Sequence, residues 1–184
     1  GYSTEMSLDV ASLGVQVHGG MGFIEETGAA QYLRDAKILT IYEGTTAIQA
    51  NDLVGRKTAR DGGQVARAIA GRIEATEAAL AQRSSAASKS MLKHLRAARA
   101  AFVEVVDFVA GSTKASPNAV FAGSVPYLML AGNVVAGWQM ARALIVAEDQ
   151  RAEDAAFMDA KVATARFYAE HILSKVPGVR DSII

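Results

Sequence analysis

Glu43 is the residue best placed to do chemistry. It stands in the run Ile41-Tyr42-Glu43-Gly44-Thr45-Thr46, between two stretches of helical periodicity. Gly44 beside it has no side chain to block a ligand. A carboxylate held in an apolar pocket is pushed to higher pKa and becomes a stronger base, able to take a proton from a weak acid. On spacing alone the commoner reading is a solvated loop glutamate, favoured by the dipole of the helix that follows. Thr45, Thr46 and Ala47 open that helix, where free N–H groups and hydroxyls suit an oxygen-rich ligand. Thr46 would equally serve as an N-cap and nothing more. A second group, Gln16, Val17, His18, Gly19 and Gly20, closes the first helical stretch on two glycines. Glycines let a backbone approach a ligand closely, but a Gly-Gly pair is usually only a helix stop. His18 has no catalytic role in this reading. His18, His94 and His171 lie far apart without metal-ligand spacing, so no metal site is expected.

The elements that position these residues read as helices, and strand signals are nearly absent. The first helix is expected from about Thr4 to Val17, with Met21 to Thr27 as a loop. A second runs from Gly28 to Thr40, with Tyr32, Leu33, Ala36 and Leu39 on one side. Thr46 and Gln49 have the spacing of a capping box, so a third helix starts there and ends near Asp61, Gly62 and Gly63. That glycine pair divides the chain into residues 1–62 and 63–184. Four longer helices follow, each with an apolar stripe at steps of three and four. The stripes are Val65, Ile69, Ile73 and Leu80; Leu92, Leu95, Ala98, Phe102, Val106 and Val109; Tyr127, Ala131, Val134, Trp138, Ala141 and Ile145; and Met158, Val162, Ala165, Tyr168 and Ile172. Breaks fall at Arg83–Ser88, Gly111–Asn118 and Glu148–Glu153. The expected fold is therefore all-α, an antiparallel helical bundle. Tyr32, Phe102, Trp138 and Phe167 read as core, and Arg34 and Asp35 as structural polar residues.

Composition narrows the partners. Of 184 residues, 51% are hydrophobic and 21% charged, enough apolar material for a core. Nineteen basic residues balance nineteen acidic ones, which gives no electrostatic case for nucleic acid or an anionic membrane. The most apolar stretch, Ala119 to Val146, is interrupted by Pro126, Asn133, Gln139 and Arg142, so no membrane span is expected. Cysteine is absent, which excludes disulfides and suits a reducing cytoplasm. The chain starts without Met, inside a helical pattern, and so reads as a fragment of a longer protein.

Three pieces in order carry a resemblance: Gln16-Val17-His18-Gly19-Gly20-Met21-Gly22-Phe23, Leu33-Arg34-Asp35-Ala36-Lys37-Ile38, and Ile41-Tyr42-Glu43-Gly44-Thr45-Thr46-Ala47-Ile48-Gln49. Together they resemble the C-terminal signature of acyl-CoA dehydrogenases. The remainder, notably Ala165-Arg166-Phe167-Tyr168-Ala169-Glu170-His171, is similar to the extra helical domain of the longer bacterial, methylthiopropanoyl-CoA dehydrogenase-like members. The resemblance implies a flavoprotein that desaturates an acyl-CoA between Cα and Cβ and passes electrons through FAD to an electron-transfer flavoprotein. It implies that Glu43 is the catalytic base, that Gly44 lies against the acyl thioester, and that Thr45, Thr46 and Ala47 touch FAD. It places Gln16, Val17, His18, Gly19 and Gly20 on the adenine side of the FAD of a neighbouring subunit, in a homo-oligomer, dimer or tetramer. Glu25 and Glu26 fall where the family has no base. Alternatives that remain open are a non-catalytic helical oligomerisation module and an acyl-CoA oxidase-type or nucleic-acid-associated relative.

Overall fold

A computed structural model describes residues 1–184 as ten α-helices with short 3-10 and π-helical turns and no strand. α1 (Tyr2–His18), α2 (Gly20–Phe23) and α3 (Ala29–Ile38) form a hairpin. α4 (Thr46–Asp52) continues as a π-helical segment over Leu53–Ala59. α5 (Gln64–Ala81), α6 (Ala86–Ser112), α8 (Ser124–Asp149) and α9 (Ala155–His171) build the bundle, with the short α7 (Pro117–Ala122) and α10 (Val176–Asp181) at its end. The sequence predicted seven helices; α2, α7 and α10 are the additions. Two of them carry proline in their first turn, Pro117 in α7 and Pro177 in α10, where its fixed φ suits the helix. α2 replaces part of the expected Met21–Thr27 loop. It exists because Gly22 is buried against the carbonyl of Val15, where a Cβ would collide.

The helices stop and start for local reasons. Ser85 caps α6 by accepting from the Ser88 amide at 2.9 Å, and Asp154 caps α9 by accepting from the Phe157 amide at 3.1 Å. Asp61 accepts from the amides of Gly63 and Val65 as the chain enters α5 through left-handed Gly62 and Gly63. Those amide bonds, led by the one from Val65, hold the Asp61 carboxyl below its ordinary pKa.

α6 and α8 are central, with α5 and α9 on their flanks. α5 and α6 are antiparallel: Arg67 pairs with Asp107, and Arg99 grips buried Glu77 through two bonds of 2.7 and 2.9 Å. Leu80, Met91, Leu95, Val105, Leu130, Val134 and Leu144 are wholly buried between these helices. Phe102 joins them and stacks on Tyr127, centroid to centroid 6.4 Å. The Tyr127 phenol, deep in this core, bonds Thr58 of the π-helical segment at 2.9 Å.

Several stripe assignments shift. On α5 the buried line is Ala66, Ala70, Ile73, Glu77 and Leu80, which turns Val65 outward. Tyr32 and Phe167, expected in the core, are 74% and 60% exposed, whereas Phe102 is buried and Trp138 packs on the core's edge. By length and composition α8 does pass as a membrane span, contrary to the sequence expectation. In this fold it is the central helix of the bundle, and its Asn133 is hydrogen-bonded to Tyr2.

Candidate active site

α1 and α3 pack side by side, so the turn after α3 returns to the start of α1. A cavity of about 160 Å³ opens there, lined by Gly1, Thr4, Leu39, Thr40, Tyr42, Glu43, Gly44, Thr46 and Gln49. Glu43 sits on its rim, exposed, with φ 56°, and it is the chain's only non-glycine residue with positive φ. That conformation is strained for a residue with a Cβ and persists only where the surroundings enforce it. Gly44 follows at φ 98°, where a Cβ would stand 3.2 Å from Gln49 Nε2 and from Ile48 Cγ2. Glycine at this position is thus required by backbone and space together.

The expected capping box does not form. Thr45 is the N-cap residue, extended at φ −62° and ψ 165°, with no side-chain cap bond. Thr46 instead donates its hydroxyl to the carboxylate of Glu5 on α1. Gln49 donates its amide to the Glu43 carbonyl at 3.1 Å. The reason is the left-handed pair at Glu43 and Gly44, which turns that carbonyl away from any helical partner, and Gln49 is the donor in reach. Thr45 and Ala47 are exposed on the same shoulder.

The second group lies elsewhere. Gln16, Val17, His18, Gly19 and Gly20 end α1, about 23 Å from Gly1 at 1.5 Å rise per residue. The structure therefore separates them from Glu43 rather than gathering them into one pocket. All five are exposed. Gly19 takes φ 61°, and a Cβ on Gly19 or Gly20 would meet nothing within 4 Å, so the backbone is open to a ligand's approach. The His18 ring bonds the Gly14 carbonyl at 2.9 Å, a local structural role. Glu25 and Glu26 occupy the 3-10 turn before α3, at the hairpin end opposite Glu43. Glu25 pairs with Arg34 at 3.5 Å, and Gln31 bridges Arg34 to Asp35, so Arg34 and Asp35 each find a partner other than one another.

Sequence reasoning missed Glu5 and Tyr2; it marked Asn133 as a polar break that could fix helix register and Tyr168 as a stripe residue, but not that Tyr2, Asn133 and Tyr168 bond one another at the root of α1. No periodicity marks these contacts, because the partners are 35 to 166 positions apart. A larger cavity of about 510 Å³, lined mainly by apolar residues of the π-helical segment, α5 and α8, contains none of the predicted site residues.

Two family models match the sequence: "Acyl-CoA dehydrogenase, C-terminal domain" over residues 2–57 and "Acetyl-CoA dehydrogenase C-terminal like" over residues 68–184. The 3-methylmercaptopropionyl-CoA dehydrogenase of Ruegeria pomeroyi is 50% identical over 193 residues, covering 100% of this chain and 33% of that protein. The broad-specificity linear acyl-CoA dehydrogenase FadE5 of Mycobacterium tuberculosis is 33% identical over 198 residues, 100% of this chain and 31% of its own length. The caffeyl-CoA reductase-Etf complex subunit CarC of Acetobacterium woodii is 40% identical over 48 residues, 26% of this chain and 13% of its own. The chain spans about a third of the length of the first two of these relatives. It belongs to the acyl-CoA dehydrogenase family and corresponds to the C-terminal portion of its longer members.

Proposed function

We propose that this chain is the C-terminal part of a flavoenzyme that oxidises acyl-CoA to 2,3-enoyl-CoA, with Glu43 as the catalytic base. The observation that carries this reading is the strained left-handed backbone of Glu43 on the rim of a cavity. Strain of this kind gathers at functional sites, and this chain spends it on a carboxylate. Glu43 takes the proton from the substrate Cα, which the thioester carbonyl acidifies. FAD, when bound, would supply the acceptor for the hydride that leaves Cβ. Gly44 presents bare backbone to the thioester. Thr45, Thr46 and Ala47 face the flavin from the shoulder of the turn. Gln16, Val17, His18, Gly19 and Gly20 would hold the adenine side of a neighbouring subunit's FAD. The open glycines at 19 and 20 fit such a group.

The cavity at Glu43 is smaller than the roughly 300–1,000 Å³ of a typical small-molecule site. We therefore assign this chain one wall of the site, and expect it to be inactive and colourless alone. The division at Gly62 is kept, supported by the two family matches that end at residue 57 and begin at residue 68. A homo-oligomer is favoured by the hairpin: α1 buries no residue, and Val10, Leu13, Val17, Phe23 and Tyr32 are exposed apolar or aromatic groups on or beside it. An electron-transfer flavoprotein as electron acceptor is supported by the relative named as part of an Etf complex. The test is substrate-driven bleaching of the flavin in the full-length enzyme carrying Glu43→Gln, with Glu25→Gln and Glu26→Gln as controls.

A further inference from the structure

The Glu43 turn is not held by its own segment alone. From α4, Gln49 donates to the Glu43 carbonyl at 3.1 Å, and Thr46 donates to the Glu5 carboxylate of α1. Both grips lead to the first turn of α1. Gly1 is wedged beside Gln49: a Cβ there would stand 3.4 Å from Gln49 Cβ and 2.7 Å from Leu128 Cδ2 of α8. One residue on, the Tyr2 ring lies against Gly132 of α8 so closely that a Cβ on that glycine would collide with it. The Tyr2 hydroxyl donates to Asn133 Oδ1 at 3.0 Å and stands 3.2 Å from the Tyr168 hydroxyl. Tyr168, on α9, donates to the Asn133 carbonyl at 3.2 Å, and burial pushes its phenol pKa up, so it remains a neutral donor. α4 itself packs along α8.

A left-handed glutamate needs such surroundings, because without them its backbone relaxes to the regions a Cβ prefers. We propose that Gln49 and Glu5 are positioning residues that hold Glu43 left-handed, and that the C-terminal bundle keeps both in register by seating Tyr2 on Gly132 and Asn133 of α8. The extra helical domain is then part of the machinery that aims the base, acting from outside the site. The consequence for catalysis rests on the assignment of Glu43 as the base; the mechanical coupling does not.

The test uses the intact flavoenzyme without substrate and follows hydrogen–deuterium exchange in peptides covering Leu39–Asp52. The informative amides are those bonded at the two shoulders of the turn, Tyr42 to Ile38 and Gln49 to Thr45. Gln49→Met keeps the side-chain length and removes the donor. Tyr2→Ala empties the seat on α8 without touching the turn, and Tyr2→Phe, the mildest change, keeps the ring and loses only the hydroxyl bonds. Gln49→Met and Tyr2→Ala are each expected to speed exchange of this segment by about fivefold, the factor one lost hydrogen bond supplies. Tyr2→Phe should give a smaller rise. Flavin reduction should slow by a similar factor with acyl-CoA affinity unchanged. Unaltered exchange at the turn in both Gln49→Met and Tyr2→Ala overturns the proposal, and so does a rise shared equally by peptides of α6 and α9. Faster exchange confined to the turn with undiminished flavin reduction upholds the coupling and contradicts Glu43 as the base.

Discussion

At the scale of single residues, Glu43 and Gly44 form the strained turn on which the proposed site rests. The left-handed region costs a residue with a Cβ on the order of 1–2 kcal/mol, and glycine nothing comparable. Glu43→Gly is therefore expected to stabilise the chain by about 1 kcal/mol in chemical denaturation. The same change should abolish the proposed activity. A loss of stability would show that the glutamate side chain holds the turn and that the backbone is not strained. Gly44→Ala should act the other way, since the new methyl meets Gln49 and Ile48 at 3.2 Å from an unfavourable φ. A cost of about 1–3 kcal/mol is expected, and a neutral outcome would mean the turn adapts freely. Glu43, Gly44 and the glycine-rich end of α1 could be picked out from residue types and their order. The contacts of Thr46 and Gln49 could not. Their spacing is that of a capping box, and only the left-handed backbone before them sends Gln49 to a different carbonyl and frees Thr46 for Glu5.

At the scale of helices, period and punctuation carried most of the information. The stripes on α6 and on much of α8 became the core because both helices are central and bury a wide face. The stripe on α5 was misjudged by one step at its start, since the buried line includes Glu77, a residue no apolar pattern would select. Glu77 is tolerated inside because Arg99 matches it with two bonds, which raise the guanidinium pKa still further. Glu77→Gln leaves the half-buried Arg99 with only the exposed Glu74 carboxylate at 3.3 Å, and a loss of about 1–3 kcal/mol is expected. Urea titration resolves it, and a loss under about 1 kcal/mol would mark the pair as no better than a surface bridge. Phe102→Ala should cost about 3–5 kcal/mol by opening a cavity beside Tyr127. Tyr32 and Phe167 misled because an aromatic residue at helical spacing reads as core. Tyr32 stands on the hairpin, which has no second layer over it, and Phe167 lies on the outer face of α9 against His171.

For the molecule as a whole, three groups make folding sensitive to acid in the same direction. Burial holds His94 below its ordinary 6.5, so the unfolded chain binds its proton first and stability drains as pH falls through that value. The depressed carboxyls of Asp61, bonded chiefly by the Val65 amide, and Glu170, bonded chiefly by Arg166, lose their contribution further down as they take up protons. The denaturation midpoint should fall between about pH 7 and about pH 5, with a shallower fall in His94→Gln; a midpoint that does not move over that range would exclude the His94 contribution. The unpartnered face of α1 and α3 predicts association, and a clean monomer in sedimentation at high concentration would contradict it. The central claim is that Glu43 removes the substrate's Cα proton, and rapid-mixing measurement of flavin bleaching in the full-length enzyme tests it most directly. Glu43→Gln keeps the size of the side chain and removes its basicity. It should still bind FAD and acyl-CoA, yet bleach about 10²–10⁴ times more slowly than the parent, while Glu25→Gln and Glu26→Gln bleach at the parental rate. Parental bleaching in Glu43→Gln, with loss in either control, would contradict the assignment.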